Sequence, residues 1–181
     1  MRPQAPARKT LALGTNVSAS ASASATHEGI AMNSTLKIVH VLCACLFLGN
    51  VIVSGIWAAL AERTRNHAII QFSNRLVLIT DLMFTLTGAL GVVLTGHLMA
   101  GSYGGDTAHP WITWSYALFG ISGLIWMLVL VPIQLRQRKL LQRTTHITKE
   151  YLQWSRIWQV SGAVATVLPL PIVYLMVTKA S

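Results

Sequence analysis

Charged residues are scarce in this 181-residue chain, at 10% of the total, and only five of them are acidic. Soluble domains carry about a quarter of charged residues, so the composition excludes an ordinary soluble domain. The motifs of soluble-enzyme chemistry are missing as well: there is no glycine-rich phosphate loop, no Ser-His-Asp pattern and no pair of carboxylates. What remains is apolar, because hydrophobic residues make up 53% of the chain and its mean hydropathy is +0.55.

Cysteine is nearly absent, with Cys43 and Cys45 as the only two. Because the two residues are two positions apart, their side chains would point to different sides of a helix. The geometry for a disulfide between them is therefore poor. The sequence therefore predicts no disulfide and gives no indication of the redox compartment. An alternation of apolar and polar residues with a period of two is missing too, which argues against a membrane β-barrel.

Four apolar segments are each long enough to cross a bilayer, for which a helix needs about 20 residues. They cover residues 36–61, 76–100, 112–135 and 154–177. Backbone polar groups inside a bilayer must find their partners within the segment, so each segment is predicted to be a helix. The predicted fold class is all-α, a four-transmembrane-helix bundle formed by residues 32–181.

Residues 1–31 have a different composition from the rest of the chain. They include the low-complexity run "SASASASAT", Ser18 to Thr26, which has no apolar periodicity. Such a segment cannot bury enough apolar surface to fold, so residues 1–31 are predicted to form a disordered tail. Met32 is followed by a natural beginning for a helix, which makes it a candidate for the biological start.

The formal net charge of +9 is distributed along the chain in a way that indicates topology. Lys and Arg are concentrated between the first and second segments and between the third and fourth, whereas residues 101–111 contain none; the exception is the amino-terminal tail, with Arg2, Arg8 and Lys9. The positive-inside rule then places both basic loops in the cytoplasm and both termini outside, in the inner (plasma) membrane of a bacterial host. The predicted partner is the lipid bilayer and not nucleic acid. A homo-oligomer or a membrane partner protein remains open.

Polar side chains of the first segment fall on one helical stripe. The stripe consists of His40, Cys43, Phe47, Asn50, Ser54, Trp57 and Ala61. Steps of three and four residues keep one face of a helix in register, and polar residues of a membrane helix face the bundle. The second segment has a matching stripe of small and polar residues, which allow close helix approach. It consists of Asp81, Thr85, Gly88, Gly91 or Val92, and Thr95.

Asp81 lies within the apolar second segment, where an unpaired carboxylate is costly. Arg75 and Arg156 are the candidate partners, and Arg156 is favoured because an ion pair would join the second and fourth helices at one depth. The alternative is that Asp81 is protonated or reaches water at the membrane interface.

His40 and His97 match in depth on different helices, an arrangement that commonly holds b-type haem. A neutral imidazole is a ready ligand for haem iron or for a metal ion. His97 follows Asp81 by sixteen residues, which is roughly 160° around the helix at about 100° per residue. It therefore faces away from the polar stripe unless the helix unwinds near Gly96. Met99, Met176 or an open position could replace it as the second ligand.

Copper is the competing interpretation of the ligand types at the same end of the predicted bundle. Soft and borderline copper ligands are available there. They are His40, Cys43, Cys45, His97, Met99 and His109.

Several motifs resemble one membrane family. They are "LKIVHV", "NRLVLITDLMFTLTGALGVVLTG", "PWITW" and "LVPIQLRQR". Over about residues 34–179 the chain resembles a bacterial family of predicted four-helix integral membrane proteins classed as a domain of unknown function. It is distantly similar to HemJ-type protoporphyrinogen oxidases and CopD-like membrane domains. In those oxidases the first-helix histidine is associated with haem, so the resemblance implies haem b on His40.

The last segment departs from those oxidases, because it reads "QVSGAVATVLP" where they carry Asn-Glu-x-Pro. Porphyrinogen oxidation is therefore not implied. The sequence predicts a haem-b-associated, redox-linked membrane protein, and catalytic residues are not identified. A non-enzymatic membrane subunit or assembly factor and a copper-handling membrane protein are the alternatives.

Overall fold

A computed structural model of the chain describes residues 12–105, 107 and 109–178, with side chains from Met32 onwards. The described residues form helices and their connections, without a strand. Four stretches are long and apolar enough to cross a membrane, and we number them as spans in chain order. The spans are Met32–Arg63, His67–Tyr103, Pro110–Arg143 and Lys149–Thr178. The predicted all-α bundle of four membrane helices is confirmed.

The helices are longer than the apolar segments, and several spans contain a change of helix type. Span 1 belongs to α1, Ala12–Arg63. Span 2 contains α2, His67–Thr80, a π-helical segment, Asp81–Leu86, α3, Thr87–Ala100, and a 3₁₀ turn, Gly101–Tyr103. Span 3 contains α4, Pro110–Ile125, a π-helical segment, Trp126–Leu130, and α5, Val131–Arg143. Span 4 contains α6, Lys149–Val167, and α7, Leu170–Thr178.

Helix α1 begins at Ala12, so part of the predicted tail is described as helical backbone. Alanine, which is frequent between residues 12 and 31, is the best helix former. Residues 1–11 lie outside the described residues. The domain boundary at Met32 stays a prediction.

The basic residues between spans 3 and 4 are carried on helix ends rather than on a loop. Helix α5 continues to Arg143 and α6 begins at Lys149, which leaves only residues 144–148 as the connection. An ion pair of 2.9 Å between Arg136 and Glu150 joins the two helices near this turn. In span 4, the helix is interrupted at Pro169, as expected for a residue that removes a backbone donor.

The four spans are arranged as a ring in which each packs against the next and the fourth returns to the first. Large apolar side chains point outward, for example Leu42 at 63% exposure and Phe72 at 67%. Polar side chains such as Thr85 and Gln134 are buried inside. Apolar residues outside and polar residues inside are what a bilayer selects. We refer to the two ends of the bundle as the His40 end and the Glu62 end.

A close approach between α1 and α3 occurs at two glycines. A Cβ atom on Gly88 would lie 2.9 Å from the backbone nitrogen of Phe47 and 3.0 Å from the carbonyl oxygen of Cys43, and one on Gly91 would collide with the Cys43 sulfur. Small residues at a membrane helix crossing allow this contact. The predicted stripe therefore faces span 2, except that Trp57 is 42% exposed.

Candidate functional site

His40 is held in one orientation by Thr95, which lies across the α1–α3 contact. Its Nδ1 atom is 2.9 Å from the Thr95 hydroxyl. That hydroxyl donates its single proton to the carbonyl oxygen of Gly91, at 2.6 Å, so it accepts from His40. These hydrogen bonds assign the imidazole proton to Nδ1, which leaves the lone pair on Nε2. Gly96 leaves room for the ring, because a Cβ there would lie 3.3 Å from its Cε1 atom.

His40 lines a cavity at its end of the bundle, which we call the His40 cavity. The volume is about 430 Å³, and the walls come from all four spans. Most of the wall is apolar, with polar groups only at a few points. The apolar wall includes Val92, Met99, Ile112, Phe119, Ile172 and Met176, and the polar groups are Lys37, His40, Ser115, Tyr103 and Tyr116. An apolar pocket of this size with few polar groups is typical of a cofactor or small-molecule site.

His97 is at the same end but does not line the His40 cavity. It is exposed, and its Nδ1 atom shares a hydrogen bond of 3.3 Å with the hydroxyl of Tyr116, which is itself on the cavity wall. The structure thus does not bring the two histidines together around one space. The roles of His40 and His97 as cofactor ligands stay predictions.

Of the copper ligands considered from the sequence, His40 and Met99 line the same cavity, and the cysteines and His109 lie elsewhere. Cys43 packs against Gly91, Cys45 is exposed, and the His109 ring stacks on Trp111. Among the described residues, no three His, Cys, Asp or Glu side chains come close enough to share a metal ion. The copper interpretation stays a prediction.

Asp81 is buried in the middle of the bundle and is surrounded by neutral donors. Its Oδ1 atom accepts from the amide of Asn50 and the hydroxyl of Thr85, both at 3.1 Å, and its Oδ2 atom accepts from the amide of Gln134 at 2.8 Å. Arg156 is exposed instead. Within the described part of the chain, the expected ion pair between Asp81 and Arg156 is not formed, because three hydrogen bonds from spans 1, 2 and 3 already occupy the carboxyl group.

A double-mutant cycle, measured as the free energy of unfolding, distinguishes a hydrogen bond between Asp81 and Gln134 from an ion pair between Asp81 and Arg156. Asp81→Asn combined with Arg156→Gln is expected to give a coupling energy below about 0.5 kcal/mol, because residues without a shared contact are additive. Asp81→Asn combined with Gln134→Leu is expected to give about 0.5–3 kcal/mol, the range for directly bonded residues. A larger coupling energy with Arg156 than with Gln134 would show that Asp81 pairs with Arg156 instead.

Sequence reasoning missed Gln134 and Gln137, which are 1% and 3% exposed. They lie in "LVPIQLRQR", whose arginines indicated a solvated connection. A signal was present, because Leu130, Gln134, Gln137 and Leu141 follow helical spacing and all four are buried. Glu62 was missed as well. Its carboxyl group accepts from the amide of Gln159 at 2.9 Å and from the hydroxyl of Ser155.

Comparison with known protein families gives one result. A family model described as "Predicted integral membrane protein (DUF2269)" matches residues 34–180. Searches of curated proteins and of solved structures found no match. The distant similarity to HemJ-type oxidases and CopD-like domains stays a prediction.

Proposed function

The chain belongs to the DUF2269 family of predicted integral membrane proteins, and we propose that it is a redox-linked membrane protein that binds haem b through Nε2 of His40. The observation that carries the proposal is the 2.9 Å contact between His40 Nδ1 and the Thr95 hydroxyl, which favours the tautomer with a free Nε2. Haem iron is commonly held by a proximal histidine, and a ligating imidazole usually donates its other N–H to a fixed acceptor. Thr95 provides that acceptor at 2.9 Å.

The chemistry of the His40 cavity fits a flat, largely apolar group with an acidic edge. Aliphatic and aromatic side chains make up most of the wall, and the volume of about 430 Å³ lies in the range of ligand pockets. Lys37 lines the same cavity one turn before His40 and is exposed at the end of the bundle. Its ammonium group would neutralise a haem propionate. Bound haem would supply one-electron chemistry, and the protein would set its environment.

The second axial position has two thioether candidates. Met99 and Met176 line the His40 cavity, whereas His97 does not. A histidine–methionine pair is an established haem ligation. We therefore favour a methionine over His97 at this position.

Orientation and membrane are part of the same proposal. Basic side chains gather at the Glu62 end, on the helix ends around Arg63 and Arg143. By the positive-inside rule this end is cytoplasmic, so His40 lies toward the outer face of a bacterial inner membrane. A reporter fused after Lys179 is expected to read outside, and a cytoplasmic signal would reverse the orientation.

The absorption spectrum of the chain purified in detergent from haem-supplied cells tests the cofactor. A Soret band that shifts on reduction is expected. A colourless protein that is folded and stable would reject haem and favour a membrane subunit without a cofactor. Metal analysis of the same sample distinguishes copper, which would be found at about one ion per chain if the copper alternative were correct.

Thr95→Val tests whether the hydroxyl orients the haem ligand. The substitution keeps the shape of the side chain but removes the acceptor of the His40 Nδ1 proton, and loss of such a partner typically weakens binding by about 10–100-fold. The measurement is the dissociation constant for haem in detergent. Thr166→Val is the matched control, because its hydroxyl bonds only to Gly162 of its own helix. Equal affinities in both variants would contradict the orienting role.

A further inference from the structure

Three buried polar atoms without a hydrogen-bond partner surround one small cavity near the Glu62 end. They are Ser73 Oγ, Gln134 Oε1 and Trp158 Nε1. Their residues are 8%, 1% and 8% exposed. Buried polar groups are almost always bonded to protein or to ordered water. Three such groups around one space therefore indicate a missing partner common to all of them.

The cavity, which we call the Glu62 cavity, has room for about one water molecule. Its volume is about 20 Å³, and a buried water needs roughly 10–15 Å³. The chemistry of the wall selects water over a cation, because the indole N–H of Trp158 needs an acceptor and the carbonyl oxygen of Gln134 needs a donor. A metal ion can satisfy only the oxygen. Water satisfies both: it can accept from the Trp158 indole and the Ser73 hydroxyl. It can also donate to Gln134 Oε1 and Ser155 Oγ, which is within the range of about two to four bonds for a buried water.

We propose that the Glu62 cavity binds one water molecule, which joins two carboxyl clusters inside the membrane bundle. On one side, Glu62, Tyr151 and Ser155 line the cavity, and Ser155 donates to the Glu62 carboxyl group. On the other side, Gln134 accepts from the water through Oε1 and donates to Asp81 through Nε2, at 2.8 Å. The water thus completes a hydrogen-bonded chain from Glu62 to Asp81.

The hydrogen-bonded chain from Glu62 to Asp81 has two parts with different chemistry. Carboxyl, hydroxyl and water groups are the components of intramembrane proton relays, and they extend from Glu62 through Ser155 to the water. The amide of Gln134 comes next and holds its protons, so it fixes the position of Asp81 and ends the relay. No lining residue is shared with the His40 cavity, and the water site therefore stands independently of haem.

Nuclear magnetic resonance of the full chain in lipid nanodiscs tests for the water directly. The indole N–H proton of Trp158 is expected to show magnetisation transfer with water. The indole of Trp126 is the internal control, because its N–H faces the carboxyl group of Asp81 and does not line the Glu62 cavity. Transfer at Trp158 and none at Trp126 supports the site. No transfer at Trp158 overturns it.

Ser73→Ala provides a second measurement, the midpoint of thermal unfolding. With water present, the substitution removes one of its four partners, and the midpoint is expected to fall by about 2–4 °C, the shift for one hydrogen bond in a chain of this size. In a dry cavity the hydroxyl is an unpaired group, so its removal would leave the midpoint unchanged or raise it. Thr166→Val is the control, since that hydroxyl donates only to Gly162 of its own helix, at 2.7 Å, and lines neither cavity.

Discussion

His40→Ala is expected to abolish haem binding and with it the Soret band of the purified protein. His40 provides the one imidazole that lines the His40 cavity among the described residues, and Thr95 holds it with Nε2 available. Loss of a residue that hydrogen-bonds an iron-binding side chain lowers the affinity about 10–100-fold. Loss of the iron-binding side chain itself should therefore lower the haem affinity roughly 100-fold or more. Haem content per chain, from absorbance after purification, is the measurement. Added imidazole should restore part of the band, because the substitution leaves space for it.

Two other histidines at the same end serve as controls for this loss. His97→Ala and His109→Ala are expected to keep the band, because neither side chain lines the cavity. Loss of the band in both His40→Ala and His97→Ala would instead support the pair of histidine ligands predicted from the sequence. An unchanged band in His40→Ala would contradict the haem proposal at this residue.

Gly88→Leu is expected to destabilise the bundle by about 3 kcal/mol or more, the upper range for overpacking a tight contact. The nearest atoms to a new Cβ are the backbone of Phe47 and Cys43, at 2.9 and 3.0 Å. Backbone atoms of a helix cannot move aside as a flexible side chain can. Helices α1 and α3 would therefore separate, and the bond between His40 and Thr95 would open. Thermal unfolding in detergent and haem affinity measure the two consequences.

Gly120→Leu is the matched control, because no atom lies within 4 Å of the position of a Cβ on Gly120. This position is exposed on the outside of α4, where leucine suits both the helix and the lipid. The unfolding free energy is expected to stay within about 0.5 kcal/mol of the unsubstituted protein. Equal losses of unfolding free energy in Gly88→Leu and Gly120→Leu would show that the α1–α3 contact does not limit the size of the side chain at position 88.

The inward face of the first span could be predicted because it depends only on local geometry. Steps of three and four residues placed His40, Asn50 and Ser54 on one side, and each of them contacts span 2. Trp57 lies on the same stripe but faces outward, since an indole is stable beside lipid. Spacing therefore orients the small polar residues better than the large amphipathic ones.

The partner of Asp81 could not be predicted from the sequence, because it depends on the register between separate helices. Charge pairing favoured Arg156, whereas the bundle brings Gln134 of span 3 to 2.8 Å. Two π-helical segments, one of which begins at Asp81 and the other at Trp126, alter the phase of spans 2 and 3. A prediction that assumes a regular 3.6 residues per turn cannot include these changes of phase. Such segments are frequent at functional sites.

Neither cavity could be predicted, since each is enclosed by side chains from distant parts of the chain. The His40 cavity lies among Phe119, Ile172 and other residues far apart in sequence. The Glu62 cavity lies among Ser73, Gln134 and Trp158, each on a different span. The sequence contains the residue types, but the space between them depends on how the helices pack.

Titration of the haem-free chain in nanodiscs with haem tests the central claim most directly. Absorbance at the Soret band is recorded as haem is added to the unsubstituted protein and to His40→Ala. The haem proposal predicts a saturable increase that ends at about one haem per chain in the unsubstituted protein and is lost in His40→Ala. A linear, non-saturating increase that is the same in both proteins would contradict it.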